Sequence, residues 1–220
     1  MLFQAPIPTA ILVDNMYLLN AAKVFGVEQT DPRKYPEVFL RDQPPEEHYR
    51  TFIFDALPFV PERGANRWQI EQYRRKLAYL KAIEYYERIA VELGEVRPKH
   101  THCFRCGANF NVAVQKLVDV KISVRLVSLA WSGVVRKIVL VSGDSDLLPA
   151  VEAVKDSPTT VRLAYVEEQD VQTSQALIRA CPEKQKLTIQ DITACKHAFA
   201  NHFMDKAPAL FNYRSQDNQT

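Results

Sequence analysis

One apolar run limits the folds open to this chain more than any other segment. Residues 138–141 read Ile-Val-Leu-Val, which is typical of a short strand buried on both faces. The run stops at Ser142, and Asp144 and Asp146 follow, with Ser145 between them, before a predicted helix that Ser145 or Asp146 would cap. Ligands of open α/β sheets bind at such carboxyl ends, although Asp and Ser also favour plain polar turns.

Two further apolar runs end in an acidic residue. Residues 10–13 read Ala-Ile-Leu-Val and are followed by Asp14 and Asn15. Residues 52–54 read Phe-Ile-Phe and precede Asp55, for which a turn residue before a proline is an equally good interpretation. Because the carboxyl ends of parallel strands meet at one edge of a sheet, the repeated pattern favours a site over a coincidence of turns.

The bulk composition suits one ordinary globular domain. The chain has 220 residues, is 47% hydrophobic and 25% charged, and has a net charge of +2, which does not by itself indicate nucleic acid. It shows no apolar run of membrane-spanning length and no signal-peptide pattern, so we expect a cytoplasmic protein with reduced cysteines. We predict a single domain over residues 1–205 and a polar, disordered tail over 206–220.

Strands and helices alternate along the chain. The longest helical pattern runs over 66–93, with Gly94 as its stop signal, and the proline-rich segment 30–47 has room for one short helical turn. Residues 116–132 fit both periodicities, but their length favours a helix with Asp119 near its start. A strand, a helix, an edge strand and a last helix are predicted over 159–166, 171–180, 187–189 and 192–203. The order predicts an α/β, Rossmann-like fold: a mostly parallel central sheet with helices on both faces.

A basic segment over 95–115 is predicted to be loop-rich, with room for a short strand, and contains Cys103-x-x-Cys106 beside His100 and His102. A structural zinc site needs four ligands, and this set is crowded and lacks a second Cys-x-x-Cys. The pattern therefore favours free cysteines over a metal site.

Four segments, in this order, resemble NYN domains, a group of PIN-like metal-dependent nucleases that includes the bacterial LabA-like proteins. They are VDN at 13–15, FDALP at 54–58, QKLVDVKISV at 115–124 and VLVSGDSDLLPAV at 139–151, within a resemblance that covers roughly residues 8–190. The resemblance implies a PIN-like sheet with an acidic pocket at its carboxyl end, Mg²⁺ or Mn²⁺ in that pocket, and hydrolysis of RNA by an endonuclease.

The resemblance also assigns site residues, by their match to the family's motifs. Asp14 and Asp144 would ligate the metal directly, and Asp119 and Asp146 would ligate it or position a water. The remaining assigned residues lie beside these acids and would contact the substrate: Asn15, Lys116, Ser142 and Ser145. Arg125, which departs from the family's pattern, would also contact the substrate, at a phosphate. Hard divalent ions prefer carboxylate oxygens, and the bound ion would reverse the local negative charge that repels RNA. Lys116 would contact a phosphate as a point charge, or be a solvated lysine at a helix start.

Two positions depart from the family's pattern. Tyr17 occupies a position where the family often has asparagine, and Arg125 one where it often has a second aspartate. An arginine near the pocket would oppose a metal and favour a phosphate, so a module that binds RNA without cutting it is the second hypothesis. A small-molecule phosphohydrolase is the third: a wide basic rim, from segments 74–81 and 97–121, would favour the nuclease, and a closed pocket the phosphohydrolase. Oligomeric state, a homo-oligomer included, and RNA against DNA stay open.

Overall fold

A computed structural model describes residues 5–58, 64 and 66–197, without the side chains at 110–113 and 115. The strands in this part are β1 Ile7–Asp14, β2 Glu46–Ala56, β3 Ile89–His102, β4 Asn109–Lys116, β5 Lys137–Val141, β6 Thr160–Tyr165 and β7 Glu183–Lys186. The α-helices are α1 Asn15–Val24, α2 Tyr35–Phe39, α3 Arg67–Glu84, α4 Val118–Ser132, α5 Leu148–Ala153, α6 Gln175–Ala180 and α7 Ile189–Ala194. Short 3₁₀ turns precede α2 and α5, at Pro32–Lys34 and Ser145–Leu147.

The strands form one sheet in the order β4-β3-β2-β1-β5-β6-β7. Six of these seven strands are parallel to one another. The exception is β4, at one edge, which pairs with β3 in the antiparallel sense. The predicted α/β fold is therefore confirmed. From β1 the chain first builds the sheet toward β2 and β3, and then crosses to β5 and continues the other way. The reversal lies between β1 and β5, which is where open α/β sheets bind their ligands.

The central strands are buried because helices cover both faces of the sheet. Successive side chains of β1 and β5 point to opposite faces and enter two separate clusters. One cluster packs with α4, α5 and α6 and takes Ala10, Leu12, Ile138 and Leu140. The other packs with α1, α2, α3 and α7 and takes Ile11, Val13, Val139 and Val141. A strand needs apolar residues at every position in this arrangement, and both runs supply them.

The ambiguous stretch 116–132 is helical from Val118 to Ser132, as its length predicted, while Lys116 is the last residue of β4. One stripe of α4, which includes Ile122 and Leu126, is buried against the sheet. The other stripe is exposed: Val120 and Val124 are 55% and 60% accessible to solvent. The width of the apolar pattern therefore overstated how much of this helix is buried.

The helix predicted over 66–93 is too long, and Gly94 does not end it. α3 ends at Glu84, and Ile89 begins β3, which pairs with β2. Gly94 lies inside this strand, where an added Cβ would lie 2.5 Å from Cγ2 of Val118 and 2.7 Å from the carbonyl oxygen of Lys116. The glycine allows the start of α4 to approach β3 closely.

The segment over 95–115, predicted as loop-rich with room for a short strand, is an antiparallel hairpin made by the end of β3 and by β4. Its pairs run from Glu95 opposite Lys116 to His102 opposite Asn109. Most described residues of this arm are exposed, so no buried face imposes an apolar alternation on the sequence. Backbone pairing, rather than a buried apolar face, defines most of the hairpin, which explains why its charged sequence resembles a loop.

Smaller differences concern the ends of elements. Asp144 caps the 3₁₀ turn before α5, in place of Ser145 or Asp146, because its side chain accepts a hydrogen bond from the N–H of Asp146. The edge strand predicted over 187–189 lies at 183–186, and the last helix begins at 189. The rest of the predicted helix over 192–203, beyond 197, and the tail 206–220 lie outside the described residues. Of the helices that are described, none has the length and apolar character to cross a membrane.

Candidate active site

The end of β1 and the loop after β5 meet at the reversal of the sheet. β1 and β5 are neighbours in register, with Val13 opposite Val141, so the residues that follow each strand lie side by side. Ser142 donates a hydrogen bond from its hydroxyl to Oδ2 of Asp14, at 3.2 Å. The N–H of Asp144 donates to the same hydroxyl oxygen, at 3.3 Å. Ser142 therefore links the two acidic strand ends.

A third aspartate comes from α4. Asp119 lies in the first turn of this helix, which Val118 and Ile122 anchor on the sheet. Asp14, Asp119 and Asp144 line one cavity of about 1100 Å³, called the acidic cavity below. Three segments that are far apart in the sequence therefore place their carboxylates around one space.

The electrostatics of this cavity disfavour three charged carboxylates. Burial raises the pKa of Asp14 from 3.8 to about 6, with a further rise from Asp119 and Asp144, against hydrogen bonds from the Tyr17 N–H and Ser142. Burial also raises the pKa of Asp119, and the charges of Asp144 and Asp146 add to this effect. A cation in the cavity would relieve this repulsion.

The described lining of the acidic cavity contains no lysine or arginine. It contains two more acids, Glu167 and Glu168, on the loop after β6. Glu167 pairs with Lys186, at 2.8 Å between Nζ and Oε2. The basic rim that would favour a nuclease is thus absent from this lining, and exposed cations lie instead on the β3–β4 hairpin, at Lys99, Arg105 and Lys116.

Ser145 and Asp146, two further residues of the SGDSD motif at 142–146, lie close to the cavity. Ser145 lines it directly. Asp146 is exposed in the 3₁₀ turn, where its N–H donates to Oδ1 of Asp144 at 2.9 Å and its carboxylate affects Asp119 only through its charge. The motif therefore supplies one carboxylate to the lining and orients it through a backbone hydrogen bond.

Asn15 and Asp55 form a separate, compensated pair. Asn15 is fully buried and its amide donates to Oδ2 of Asp55. The same oxygen lies 2.5 Å from Nζ of Lys76, which comes from α3. The acid at the end of β2 is thus neutralised within the fold, and Asn15 faces it rather than the described lining of the acidic cavity.

Arg125 and Lys116 are also outside this lining. The guanidinium of Arg125 lies 2.6 Å from Oε1 of Glu92 and 4.8 Å from the ring centre of Phe52. It lines a second, smaller cavity on the outer side of α4. The structure therefore gives no ground for the expected conflict between Arg125 and a metal. Lys116 is exposed at the base of the hairpin.

Sequence reasoning missed the loop after β6, which forms one wall of the acidic cavity. The Thr173 hydroxyl donates to the carbonyl of Val166, at 2.9 Å, so its single proton is used. The Tyr17 hydroxyl therefore donates to Thr173, at 2.8 Å, and accepts from the N–H of Val166, at 2.9 Å. Its sheet position was the available signal, because β6 neighbours β5 and their following loops must share an edge.

Gly143 makes the close approach of this wall possible. A Cβ at this position would lie 2.5 Å from the carbonyl oxygen of Gln172 and 2.5 Å from Cε2 of Tyr17. The N–H of Ser174 also donates to the carbonyl of Gly143, at 2.9 Å. The glycine thus holds the SGDSD loop against the loop after β6.

The donors of the acidic cavity suit a hard, hydrated cation. Within the described ranges, no three histidine, cysteine, aspartate or glutamate side chains are grouped closely enough to hold one metal ion among them. Mg²⁺ does not require such a cage, because it commonly keeps several waters and binds one or two carboxylates. Asp14 and Asp144, linked through Ser142, offer oxygen donors of that kind.

Comparison with known proteins identifies a family. The sequence model of the NYN domain family matches residues 65–188. Asp119, Asp144 and Asp146 lie inside the matched part, and Asp14 precedes it. No curated protein matches the chain.

Proposed function

This chain belongs to the NYN domain family, and we propose that it is a metal-dependent ribonuclease that cuts RNA internally at the acidic cavity. NYN domains are generally nucleases with a PIN-like fold, and such nucleases usually use divalent metal ions. One observation carries the proposal for this chain: Asp14, Asp119 and Asp144 come from three separate segments and line one cavity.

The acidic residues of the cavity would have two roles, which are to bind a cation and to orient a water. Asp14 and Asp144 would bind Mg²⁺ or Mn²⁺, and Asp119 would orient a water beside it. The bound ion supplies a water of lowered pKa and stabilises charge on the phosphate. With a pKa of about 6, Asp14 is ionised at neutral pH and available as a ligand. Hydrogen bonds from Ser142 and the Tyr17 N–H fix its two oxygens.

Substrate contact falls to polar and basic groups around this centre. Ser145 lines the cavity and Asp146 lies next to it, while the exposed cations of the β3–β4 hairpin would hold the phosphate backbone. None of these cations reaches the described lining, so they would contact phosphates away from the one that is cut. Asn15 would act indirectly, by holding Asp55 and the end of β2 in place.

The experiment is cleavage of a mixed-sequence RNA without free ends, a circular single strand, in Mn²⁺ and in Mg²⁺. We expect cutting that stops with chelator and falls about 100-fold or more in Asp144→Asn, because a carboxylate aimed at the ion is removed. Asp156→Asn, an exposed aspartate after α5, is the matched control and should cut at the wild-type rate.

The acidic lining of the cavity keeps one rival in view, a small-molecule phosphohydrolase. An arm with p-nitrophenyl phosphate separates the two. Metal-dependent release of nitrophenol with intact RNA would contradict the ribonuclease and support the rival. Intact RNA that still shifts in a gel, with no nitrophenol, would identify a module that binds RNA without cutting it.

A further inference from the structure

The tip of the β3–β4 hairpin, residues 103–108, is a closed turn around two cysteines. The N–H of Cys103 donates to the carbonyl of Ala108, at 2.8 Å, and the N–H of Gly107 donates to the carbonyl of Cys103, at 2.9 Å. Gly107 has φ +72°, a conformation that glycine adopts without strain. The Cys-x-x-Cys-Gly sequence is therefore folded into a specific turn rather than an irregular loop.

Both thiols are reduced and accessible in this turn. The backbone N–H groups of Cys106 and Arg105, and the thiol of Cys106, donate hydrogen bonds to the sulfur of Cys103. The two sulfurs therefore lie close together in the turn, as two ligands of one metal ion must. The pair sits on a β-turn and not at a helix N-terminus, where redox-active Cys-x-x-Cys pairs obtain their reactive thiolate.

The turn holds two ligands, whereas a structural zinc site has four. In the part of the chain that the structure describes, no third histidine, cysteine or acidic side chain completes a group around the pair. The sequence has four cysteines, and the other two, Cys181 and Cys195, are buried in the core. Nδ1 of the His102 ring donates a hydrogen bond to Oδ1 of Asn109, at 3.0 Å.

We propose that Cys103 and Cys106 are half of a tetrahedral zinc site, which the same two cysteines of a second copy of this chain complete. A two-fold axis at the hairpin tip would place each tip against its copy, so that one pair of ligands per chain gives four. Phe104 lies between the two cysteines and is 99% exposed. Contact between two tips would cover the Phe104 ring, which is a large apolar group exposed to water in the single chain.

The test is titration of the reduced, full chain with Co²⁺, followed by replacement with Zn²⁺. Thiolate–cobalt charge-transfer absorption counts sulfur ligands specifically, and light scattering gives the mass with metal and after chelation. We expect saturation at about one ion per two chains, a dimer that returns to monomer with chelator, and loss of both in Cys103→Ser. His102→Ala is the matched control and should behave as wild type.

Each other outcome overturns the proposal. Saturation at one ion per chain in a monomer, with a weaker band in His102→Ala, would mean that histidine completes the site within one copy. Absence of the band, or a Cys103–Cys106 disulfide found by mass spectrometry in place of bound metal, would mean that the turn is no zinc site. The thiolate band in Asp14→Asn excludes the acidic cavity as its source, so this test is independent of ribonuclease activity.

Discussion

The two ends of the sheet treat buried charge in opposite ways. At the amino ends of the strands, Glu46, Lys137, Arg162 and Glu183 form an ionic network, called the amino-end network below. Oε2 of Glu46 lies 2.8 Å from Nη2 of Arg162, and both side chains have no exposed area. Lys137 lies 3.0 Å from Oε1 of Glu46. At the carboxyl ends, the acidic cavity collects carboxylates without a described cation in its lining.

The pKa values follow this difference. Burial alone would raise the pKa of Glu46, but the hydrogen bonds from Arg162 and Lys137 outweigh it and hold that pKa below 4.5. At Asp14, burial outweighs the hydrogen bonds, and the pKa rises to about 6. The paired charges of the amino-end network stabilise the fold, whereas the unpaired carboxylates of the acidic cavity are suited to binding a cation from solution.

The strongest test of the comparison removes a cation from the amino-end network. Arg162→Met leaves Glu46 buried without its main partner, so we expect the free energy of unfolding to fall by about 3–5 kcal/mol in urea titrations. Arg75→Met is the matched control: its pair with Glu71 is 2.9 Å long, but both side chains are about half exposed. The control should lose about 1 kcal/mol or less. A similar loss in both variants would contradict the structural role given to the network.

A smaller effect is expected at the contact that closes the acidic cavity. Gly143→Ala forces a Cβ against Gln172 and Tyr17, which should cost about 1–3 kcal/mol of unfolding free energy and reduce RNA cleavage. Gly26→Ala is the control, because nothing lies within 4 Å of its added Cβ although φ is +71°. We expect it to lower stability and leave cleavage unchanged. Unaltered cleavage in Gly143→Ala would show that this contact does not shape the site.

The pH dependence of stability separates the two ends by its sign. The folded pKa of Asp14, about 6, exceeds its ordinary value of 3.8, so the folded state binds more protons between these values and loses stability as pH rises through them. After allowance for solvent screening we expect a loss of about 1–2 kcal/mol in chelator, absent from Asp14→Asn. Glu46, with its lowered pKa, acts oppositely and loses stability as pH falls below 4.5. If stability depended on pH in Asp14→Asn as it does in the wild type, the assignment of this loss to Asp14 would be contradicted.

The smallest effect is expected at the departure from the family's pattern. Tyr17→Phe removes the acceptor of the Val166 N–H and should cost about 1 kcal/mol. Tyr85→Phe, at a tyrosine that is 89% exposed, provides the baseline for thermal denaturation. A cleavage rate that falls more steeply than stability would show that the hydroxyl acts on the substrate as well as on the wall.

What the sequence predicted well depends on local pattern. The runs at 10–13 and 138–141 indicate buried strands because every residue in them is apolar, and the acids that follow must then share an edge. What it could not predict depends on partners. Asp55 looks equivalent to Asp14 in sequence, and only Lys76, placed by the packing of α3, makes it a neutralised acid.

The same limit explains the other errors. Arg125 occupies a position where the family often has an aspartate of the site, yet its side chain contacts Glu92 on β3 and Phe52 on β2, at another surface. β3 itself was merged into the preceding helix, because Ile89 and Leu93 continue the spacing of α3 by chance. Its hairpin extension has no buried face to reveal it.

The most direct test of the central claim, that the acids at the carboxyl end bind a cation, is calorimetric titration with Mn²⁺ at pH 7. Mn²⁺ prefers oxygen donors, so the cysteine turn does not compete. We predict binding that weakens about tenfold or more in Asp14→Asn, stays unchanged in Asp156→Asn, and weakens in the wild type below about pH 6, where Asp14 takes up a proton. Equal affinity in Asp14→Asn and the wild type would contradict the claim.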